Sequence, residues 1–252
     1  MAEQSALSAY EQMAPFYDDF TAHHDYRSLT VDLLDILGRW GLRGDRLLDV
    51  GCGTGNSFME MLSGGWKVTA CDISPLMLAK ARAKSPASVR LEVADMRELP
   101  ALGEFDLIWA LDDAVNYLLS LEELVSTLTA MRANLAPAGL LLFDVNELLM
   151  YRTFFAEEST TEFDGRRVTW RGLTARDVAP GSICEAEGIA GAHVARHQQR
   201  HFPEATVLQA LDRAGLQCLA VYGSHDGGLE QPLDQSAHTK AVYVARTGTG
   251  NG

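Results

Sequence analysis

Three glycines at alternating positions, Gly51, Gly53 and Gly55, directly follow the short apolar run at residues 46–50. Glycine tolerates a positive φ and lets a ligand approach the backbone, because no Cβ stands in the way. The residues after the turn are expected to open a helix, whose first N–H groups have no partner within the helix. The stretch therefore predicts a strand, turn and helix that receive the polar end of a nucleotide-like ligand.

The spacing of the glycines distinguishes between ligands. The dinucleotide fingerprint G-x-G-x-x-G places its third glycine one residue later than this chain does. Here the pattern is D-x-G-x-G-x-G, and Asp49 opens it at the strand end. A carboxylate so close would repel a pyrophosphate but suits an ammonium or sulfonium charge. Asn56 or Ser57 is expected to cap the helix that follows.

This pattern resembles the first motif of the class I S-adenosylmethionine-dependent methyltransferases. The resemblance implies S-adenosyl-L-methionine as cofactor and S-adenosyl-L-homocysteine as product. It is specific over residues 45–146 and weaker elsewhere. The fold that it implies is α/β, with a doubly wound, mostly parallel seven-stranded sheet (a Rossmann-like methyltransferase fold) and an antiparallel cap insertion.

Two acidic residues downstream match the family's adenosine contacts. Asp72 ends the second predicted strand, about 20 residues beyond the glycines, where a carboxylate can accept both ribose hydroxyls. Ile73 would lie against the base, and the alternative role of Asp72 as a helix N-cap is already served by Ser74-Pro75. Asp95 and Met96 match the pair that holds adenine, although Asp95 could instead form an Asx turn. The resemblance implies a cofactor set of Asp49, Gly51, Cys52, Gly53, Gly55, Asp72, Ile73, Asp95, Met96, Leu111, Asp112 and Tyr17.

The loop after the fourth predicted strand begins with adjacent acids, Asp112 and Asp113. Open α/β sheets place reactive groups in such loops, outside the strand carboxyl ends. Comparable D-[DS]-x-x-N-Y-L segments occur in bacterial small-molecule methyltransferases. We interpret Asp112 and Asp113 as bracketing the methionine end of the cofactor, with Asn116 or Tyr117 touching the acceptor. Asn146, at the end of the fifth predicted strand, is predicted at the same face. The alternative interpretation of the loop that begins at Asp112 is a solvated turn that caps the next helix.

Residues 9 to 25 resemble the N-terminal lid that small-molecule methyltransferases fold over the cofactor, through the pattern Y-x-x-x-A-x-x-Y-D. Pro15 predicts two short segments or a kink. The alternative is an ordinary amphipathic helix that caps the sheet. The acceptor-side predictions are Tyr10, Tyr17, Asp113, Asn116, Tyr117 and Asn146 for substrate binding, and Tyr17, His24, Asn116 and Tyr117 for catalysis.

Methyl transfer from a sulfonium is an in-line displacement in which catalysis is mainly positioning and desolvation, with no need for a metal. An amine acceptor needs only to arrive as its free base. A hydroxyl acceptor would need a general base, for which His23 or His24 is the best-placed candidate. The acidic and aromatic residues favour N-methylation of a small amine of a sugar or secondary metabolite, as in antibiotic biosynthesis. An O-methyltransferase and a non-catalytic cofactor-binding module remain the alternatives.

The chain is expected to divide into an N-terminal helical lid (residues 1–44), a methyltransferase core (45–159 and 201–247), an antiparallel cap (160–200) and a frayed tail (248–252). The cap contains His193, His197 and His201. Four residues along a strand separate Cβ atoms by about 13 Å, so a shared metal ion is disfavoured. These histidines are predicted to be mostly surface or substrate-facing.

Composition limits the class of partner. The formal net charge is −13 over 252 residues with no basic run, so nucleic acid is a poor partner. Four scattered cysteines without a C-x-x-C pair, and the lack of a secretory signal, favour a reducing cytoplasm. No window approaches the roughly 18 apolar residues that cross a bilayer. We therefore expect a cytoplasmic protein with a small-molecule acceptor and no membrane partner, and the sequence is compatible with a homo-oligomer.

Overall fold

A computed structural model describes residues 6–163, 165–225 and 228–248. Its main sheet has eight strands in the order β11-β10-β12-β5-β4-β1-β2-β3, and a second sheet has the order β6-β7-β8-β9. The strands are β1 (Arg46–Val50), β2 (Lys67–Asp72), β3 (Arg90–Val93), β4 (Phe105–Ala110), β5 (Leu135–Asn146), β6 (Glu158–Phe163), β7 (Arg166–Gly172), β8 (Ile183–Ala190), β9 (His193–Arg200), β10 (Leu216–His225), β11 (Gly228–Glu230) and β12 (Lys240–Thr247).

Helices cover both faces of the main sheet. They are α1 (Ala6–Met13), α2 (Tyr17–Phe20), α3 (Tyr26–Arg39), α4 (Asn56–Ser63), α5 (Pro75–Lys84), α6 (Leu121–Ala133), α7 (Leu148–Arg152) and α8 (Glu204–Arg213). One buried cluster joins α3, α4 and α5 to the sheet, and another joins α6 and α8 to it. The doubly wound arrangement is therefore confirmed. Within the described ranges, no helix is long and apolar enough to cross a membrane.

The central strands are parallel because each is apolar on both faces. In β1 and β4 the last four residues are buried, which is typical of strands covered by helices on both sides. β1 pairs in parallel with β2 and β4, whereas β12 is antiparallel to β5. The seven predicted strands are all present. The eighth is the short β11, which pairs with β10 at the sheet edge.

This topology gathers polar residues at one edge of the sheet. The carboxyl ends of β1, β2, β4 and β5 meet there, so the residues that follow each strand become neighbours. Because β12 runs the opposite way, its first residue, Lys240, stands opposite Asn146 at the end of β5. The sheet edge thus receives a cation from a strand that lies far away in the sequence.

The lid, residues 6–20, lies over this edge. It consists of α1, a 3₁₀ turn at Ala14–Phe16 and α2. Pro15 sits in the turn, which confirms the interruption predicted from its fixed φ. Met13 and Phe16 of the lid are buried against Val168 and Ala195 of the second sheet. The lid therefore packs on the second sheet as well as on the core.

The cap, residues 158–200, is the four-stranded antiparallel sheet β6-β7-β8-β9. It begins two residues earlier than expected, and Asp164 of the predicted hairpin turn lies outside the described residues. Trp170, Cys184 and Ala186 of the cap are buried against Tyr151 and Phe155, which follow β5. The cap is thus held between the lid and the segment after β5. Residues 1–5 of the predicted lid and 249–252 of the predicted tail are likewise outside the described ranges.

Glu147, directly after β5, predicts a pH-dependent stability. It is 1% exposed, and its two carboxylate oxygens have no hydrogen-bond partner among the described residues. Burial, with a further contribution from Glu204, raises the pKa of Glu147 to about 7. A folded-state pKa above the unfolded value of about 4.3 means that stability falls as the pH rises from 4.3 to 7.

Glu147→Gln should therefore stabilise the protein at pH 8 by up to roughly 4 kcal/mol, at about 1.36 kcal/mol per pKa unit. The gain should vanish near pH 3, about one unit below the unfolded-state pKa, where the wild-type carboxyl is protonated in both states. Denaturant unfolding of both proteins at the two pH values measures this. An equal difference at both pH values would show that ionisation of Glu147 is not responsible.

Candidate active site

The glycine turn after β1 forms one wall of a cavity, here called the first cavity. Gly51 and Gly53 line it and have φ values of +76° and +53°. A Cβ added to Gly53 would lie 3.7 Å from Tyr17 Cε1, so any side chain there would occupy the space between the turn and the lid. Among the predicted cofactor residues, ten line this cavity: Gly51, Cys52, Gly53, Asp72, Ile73, Asp95, Met96, Leu111, Asp112 and Tyr17.

Two of the predicted cofactor residues do not line the first cavity. Asp49 is 1% exposed, and its carboxylate accepts a hydrogen bond of 2.6 Å from Ser57 Oγ. It lies behind the turn because it is still part of β1, and burial raises its pKa to about 7. Gly55 instead packs on Phe58, whose ring would be 2.7 Å from an added Cβ. Asp49 and Gly55 therefore support the turn on the side away from the first cavity.

The helix after the turn begins without the predicted side-chain cap. Its N-cap is Gly55, with φ +89° and no side-chain hydrogen bond, and α4 begins at Asn56. Asn56 and Ser57 line the first cavity as the first residues of the helix. Since no capping oxygen covers the helix start, its N–H groups remain available beside the turn.

Asp72 connects the second strand to the turn. One carboxylate oxygen accepts from the Gly53 N–H at 2.9 Å, and the other accepts from the Ser74 N–H at 2.8 Å. Burial is the largest influence on its pKa, which is raised. The N-cap of α5 is Ser74, so Asp72 is free of that role as predicted. It keeps further lone pairs for a ligand in the first cavity.

Asp72→Ala should weaken cofactor binding by about 1–3 kcal/mol, because it removes a charged acceptor and loosens the turn at Gly53. Calorimetry with S-adenosylhomocysteine measures the change. Asp95→Asn is a matched comparison: Asp95 also lines the cavity, but Arg97 already occupies its carboxylate at 2.6 Å. We expect a smaller loss there, and equal losses would argue against a special role for Asp72.

A second cavity adjoins the first, with a volume of about 490 Å³. Its floor is the polar sheet edge, including Asp113, Asn146 and Lys240. Its walls come from the cap and the segment after β5, including Trp170 and Phe154, whose rings stack 5.1 Å apart. The predicted acceptor residues Tyr10, Tyr17, His24, Asp113, Tyr117 and Asn146 all line it.

The two cavities meet at a narrow set of side chains, here called the junction. Among the described residues, those that line both cavities are Tyr10, Tyr17, Asp112 and Tyr117. Asp112 accepts a hydrogen bond of 2.7 Å from Tyr26 Oη, which holds its carboxylate in place. Any group that passes between a ligand in the first cavity and one in the second must cross this junction.

The acids after β4 adopt an uncommon backbone conformation. Asp112 and Asp113 have φ values of +57° and +55°, in the left-handed region that non-glycine residues seldom occupy. Such strain persists only where surrounding contacts enforce it, and it clusters at functional sites. Here the Asp113 N–H donates to Asp144, while the Asp113 carboxylate accepts from Gln199 and Lys240.

Lys240 is the central charge of the second cavity's floor, and it was not predicted. Its Nζ lies 2.5 Å from Asp144 Oδ2 and 3.2 Å from Asp113 Oδ1. Burial raises the pKa of Asp144 to about 6, against the opposing effect of Lys240. The signal that could have revealed Lys240 is topological, since an antiparallel last strand must begin at the edge where β5 ends.

Asn116 does not touch the acceptor side, contrary to the prediction. It is fully buried and lines neither cavity. Its amide donates to the Arg200 carbonyl and accepts from the Asn146 N–H, each at 2.9 Å. It lies in the 3₁₀ turn Ala114–Tyr117, and these two hydrogen bonds hold its side chain inward. It therefore joins the loop, β5 and the cap as a structural bracket.

The cap histidines differ from one another. His197 is buried, lines the second cavity and lies 2.7 Å from Tyr117 Oη through Nδ1. His193 is exposed. His201 is buried and accepts from the Gly181 N–H, so it is neither at the surface nor substrate-facing. Within the described part of the chain, no group of three or more His, Cys, Asp or Glu side chains could hold a metal ion.

His24 lies at the mouth of the second cavity. Desolvation lowers its pKa, with partial opposition from Asp112. The imidazole is therefore neutral at pH 7, the form in which it can accept a proton.

Comparisons with known proteins agree with this geometry. A family model described as a methyltransferase domain matches residues 47–139. A Geobacillus methyltransferase homologue is 33% identical over 62% of this chain and 64% of its own length. The Bacillus subtilis protein named "Putative methyltransferase YqeM" is 28% identical over 82% of this chain and 86% of its own length.

Solved structures share the whole architecture. An S-adenosylmethionine-dependent methyltransferase from Clostridium acetobutylicum superimposes with a TM-score of 0.75 at 22% identity, over 95% of this chain and 99% of that one. The chain therefore contains a methyltransferase domain, and its fold is that of S-adenosylmethionine-dependent methyltransferases. Another similar structure is the S-adenosylmethionine-bound amino pentose methyltransferase CalS10 of Micromonospora echinaspora, with a TM-score of 0.67 and 25% identity over 91% and 94% of the two chains.

The first cavity suits S-adenosylmethionine, which is bound in the similar structure of CalS10. Its wall at Gly51 and Gly53 has no side chains, which allows close approach of the ligand. Asp72 offers a buried carboxylate, while Met96 and Leu111 offer apolar surface. An adenosine joined to a charged amino acid requires this combination of hydrogen-bond acceptors and apolar contacts.

Proposed function

We propose that this protein transfers the methyl group of S-adenosylmethionine to the nitrogen of a small-molecule amine, a sugar or another secondary metabolite. The observation that carries the proposal is the junction. Two cavities open onto the same four side chains, Tyr10, Tyr17, Asp112 and Tyr117. A cofactor in the first cavity and an acceptor in the second would therefore face each other across it.

In this proposal, the cofactor is held along the sheet edge in chain order. The turn at Gly51 and Gly53 receives its amino-acid end, together with Asp112. Asp72 accepts from the ribose hydroxyls, because its carboxylate already lies at the wall of the first cavity. Met96, with Asp95, covers the base. When bound, the cofactor supplies an activated methyl group on a sulfonium.

The protein's own contribution would be positioning and exclusion of water. Tyr10 and Tyr17 lie on the lid and line both cavities, so the lid covers both cavities at once. When the methyl group and the acceptor nitrogen are held about 3–3.5 Å apart, the entropy cost of bringing the two molecules together no longer adds to the barrier of the chemical step. Asp112 stabilises the positive charge that moves toward the acceptor nitrogen during transfer.

The charges around the second cavity favour an amine. Asp112 and Asp113 both line it, and Lys240 is engaged by Asp113 and Asp144. Among the described residues that line this cavity, the two aspartates thus outnumber the one lysine, Lys240. An incoming ammonium is attracted by such a site, and it becomes a nucleophile after losing one proton. The amino pentose methyltransferase among the similar structures supports this choice of acceptor.

O-methylation is the second candidate, and His24 is the observation that favours it. Its neutral imidazole lines the second cavity, where it could accept a hydroxyl proton. Under the amine proposal His24 would be dispensable for the chemical step. Under the hydroxyl alternative its removal would lower kcat by about 100-fold or more.

The experiment is an assay for S-adenosylhomocysteine release with matched acceptors that differ only by an amino or a hydroxyl group, such as amino sugars beside their hydroxy counterparts. Turnover of the amines alone supports the proposal, and turnover of the hydroxyl compounds alone overturns it. Calorimetry with S-adenosylmethionine on the same preparation identifies a protein that binds without turnover. His24→Gln, assayed on the same pairs, separates the two chemistries.

A further inference from the structure

The junction contains three aromatic rings around one carboxylate. The Tyr10 ring lies 6.2 Å from that of Tyr17 and 5.1 Å from that of Tyr117, with the ring planes inclined by 60° and 52°. Asp112 completes the set. All three rings line both cavities, so they border a common space, as in sites that hold a cation against aromatic faces.

The charge of the junction is negative. Burial raises the pKa of Tyr10 and Tyr17 well above the usual value, so both phenols are neutral at physiological pH. Asp112 accepts from Tyr26 Oη, a neutral donor. The neighbouring cation, Lys240, is held by Asp144 and Asp113 at 2.5 and 3.2 Å. Among the described residues that line both cavities, Asp112 therefore carries the charge.

We propose that Tyr10, Tyr17, Tyr117 and Asp112 form an ammonium-binding site that retains the acceptor nitrogen after it has been methylated. Ring faces attract a cation without requiring an N–H donor, so they hold a methylated ammonium as well as an unmethylated one. A site built from carbonyl acceptors would lose one hydrogen bond with each methyl group. The inference rests on the proposed function and specifies its outcome, which is successive methylation of one nitrogen.

Each transfer would form one N–C bond from the nitrogen lone pair while the sulfonium C–S bond breaks and its electron pair stays on sulfur. Before the next transfer the ammonium loses one proton to water, and a fresh cofactor replaces the product in the first cavity. Two transfers therefore consume two molecules of S-adenosylmethionine and release two of S-adenosylhomocysteine. The junction is shared by both cavities, so the nitrogen need not leave it during this exchange.

The test uses choline and 3,3-dimethyl-1-butanol, which have the same shape and differ in charge. Both are titrated into the full-length protein saturated with S-adenosylhomocysteine, with binding followed by calorimetry. We expect choline to bind at least tenfold more tightly. Equal binding overturns the proposal. Choline that binds only when S-adenosylhomocysteine is absent also overturns it, because the cation site would then belong to the cofactor.

Variants assign the preference to the rings. Tyr10→Phe keeps the ring and should keep the preference, whereas Tyr10→Leu should reduce it to less than threefold. Asp112→Asn tolerates the left-handed backbone and should also reduce it. If Tyr10→Leu does not fold by circular dichroism, Tyr17→Leu beside Tyr17→Phe repeats the comparison. Tyr222→Phe is the control. The Tyr222 hydroxyl accepts a hydrogen bond from Trp40 away from the junction, so its removal should leave the preference unchanged.

Mass spectrometry of the products separates this inference from the proposed function. Dimethylated or more highly methylated amine, together with a preference for choline, supports both. Amine turnover that stops at one methyl group, without a preference for choline, overturns the ammonium site and leaves the proposed function standing. A preference for choline in a protein that methylates hydroxyl groups alone overturns the proposed function while retaining the site as a cation-binding one.

Discussion

Lys240→Met is expected to lower the free energy of unfolding by about 3–5 kcal/mol, the usual cost of leaving buried charges without their partner. Asp144 is 4% exposed and Lys240 Nζ is its ion-pair partner. Methionine has a similar length, so the loss of packing is small and the loss of charge dominates. Chemical denaturation at pH 7.5 measures the effect.

The pH dependence of this variant provides its control. Without Lys240, the folded-state pKa of Asp144 rises further above its unfolded value of about 3.9, so the destabilisation grows as the pH rises. At pH 5 the variant should recover much of the loss, because the carboxyl is then protonated in the folded state. The double variant Lys240→Met/Asp144→Asn should be more stable than the single one at pH 7.5. A loss of equal size at both pH values would assign the effect to packing.

Gly53→Val should weaken binding of S-adenosylhomocysteine by at least about 100-fold, which corresponds to about 3 kcal/mol. The added side chain would fill the space between the turn and Tyr17, because its Cβ alone would lie 3.7 Å from the Tyr17 ring. The φ of Gly53 is +53°, and a β-branched residue is disfavoured at such a value. Calorimetry measures the affinity, and circular dichroism checks the fold.

Gly65→Val is the matched control for Gly53→Val. Gly65 also has a positive φ, +85°, but a Cβ there would meet nothing within 4 Å. It stands after α4, outside the residues that line the first cavity. This variant should lose stability through backbone strain while keeping its affinity for the cofactor. If both variants lost affinity equally, a general weakening of the fold would explain the result.

Local patterns in the sequence carry much of the fold. In the sequence, buried parallel strands are visible as short apolar runs and helices as apolar residues at helical spacing. Both patterns can be recognised because each is contained within about ten neighbouring residues. The turn at Gly51 and Gly53 is likewise contiguous, so its backbone requirement is visible in the residue types. The position of Asp72 could be predicted because the second strand ends beside the first one in this topology, at the edge of the sheet where ligands bind. These features depend on neighbours in the chain.

The orientation of individual side chains depended on tertiary structure. Asp49 and Asn116 belong to the predicted motifs, yet both side chains are buried and point away from the cavities. Asp49 is hydrogen-bonded to Ser57, and Asn116 is hydrogen-bonded to Arg200 and Asn146. No local pattern specifies which side of a turn a polar side chain will face.

By itself, then, the sequence determined the fold class and the cofactor, because the motif that carries them is continuous in the chain. The tertiary structure decided the acceptor side. Lys240 reaches Asp113 across 127 residues, and Tyr117 meets His197 across 80. Such pairs form only when the antiparallel last strand, the cap and the lid converge on one sheet edge. The junction of the two cavities is a product of that convergence, and no single stretch of the chain encodes it.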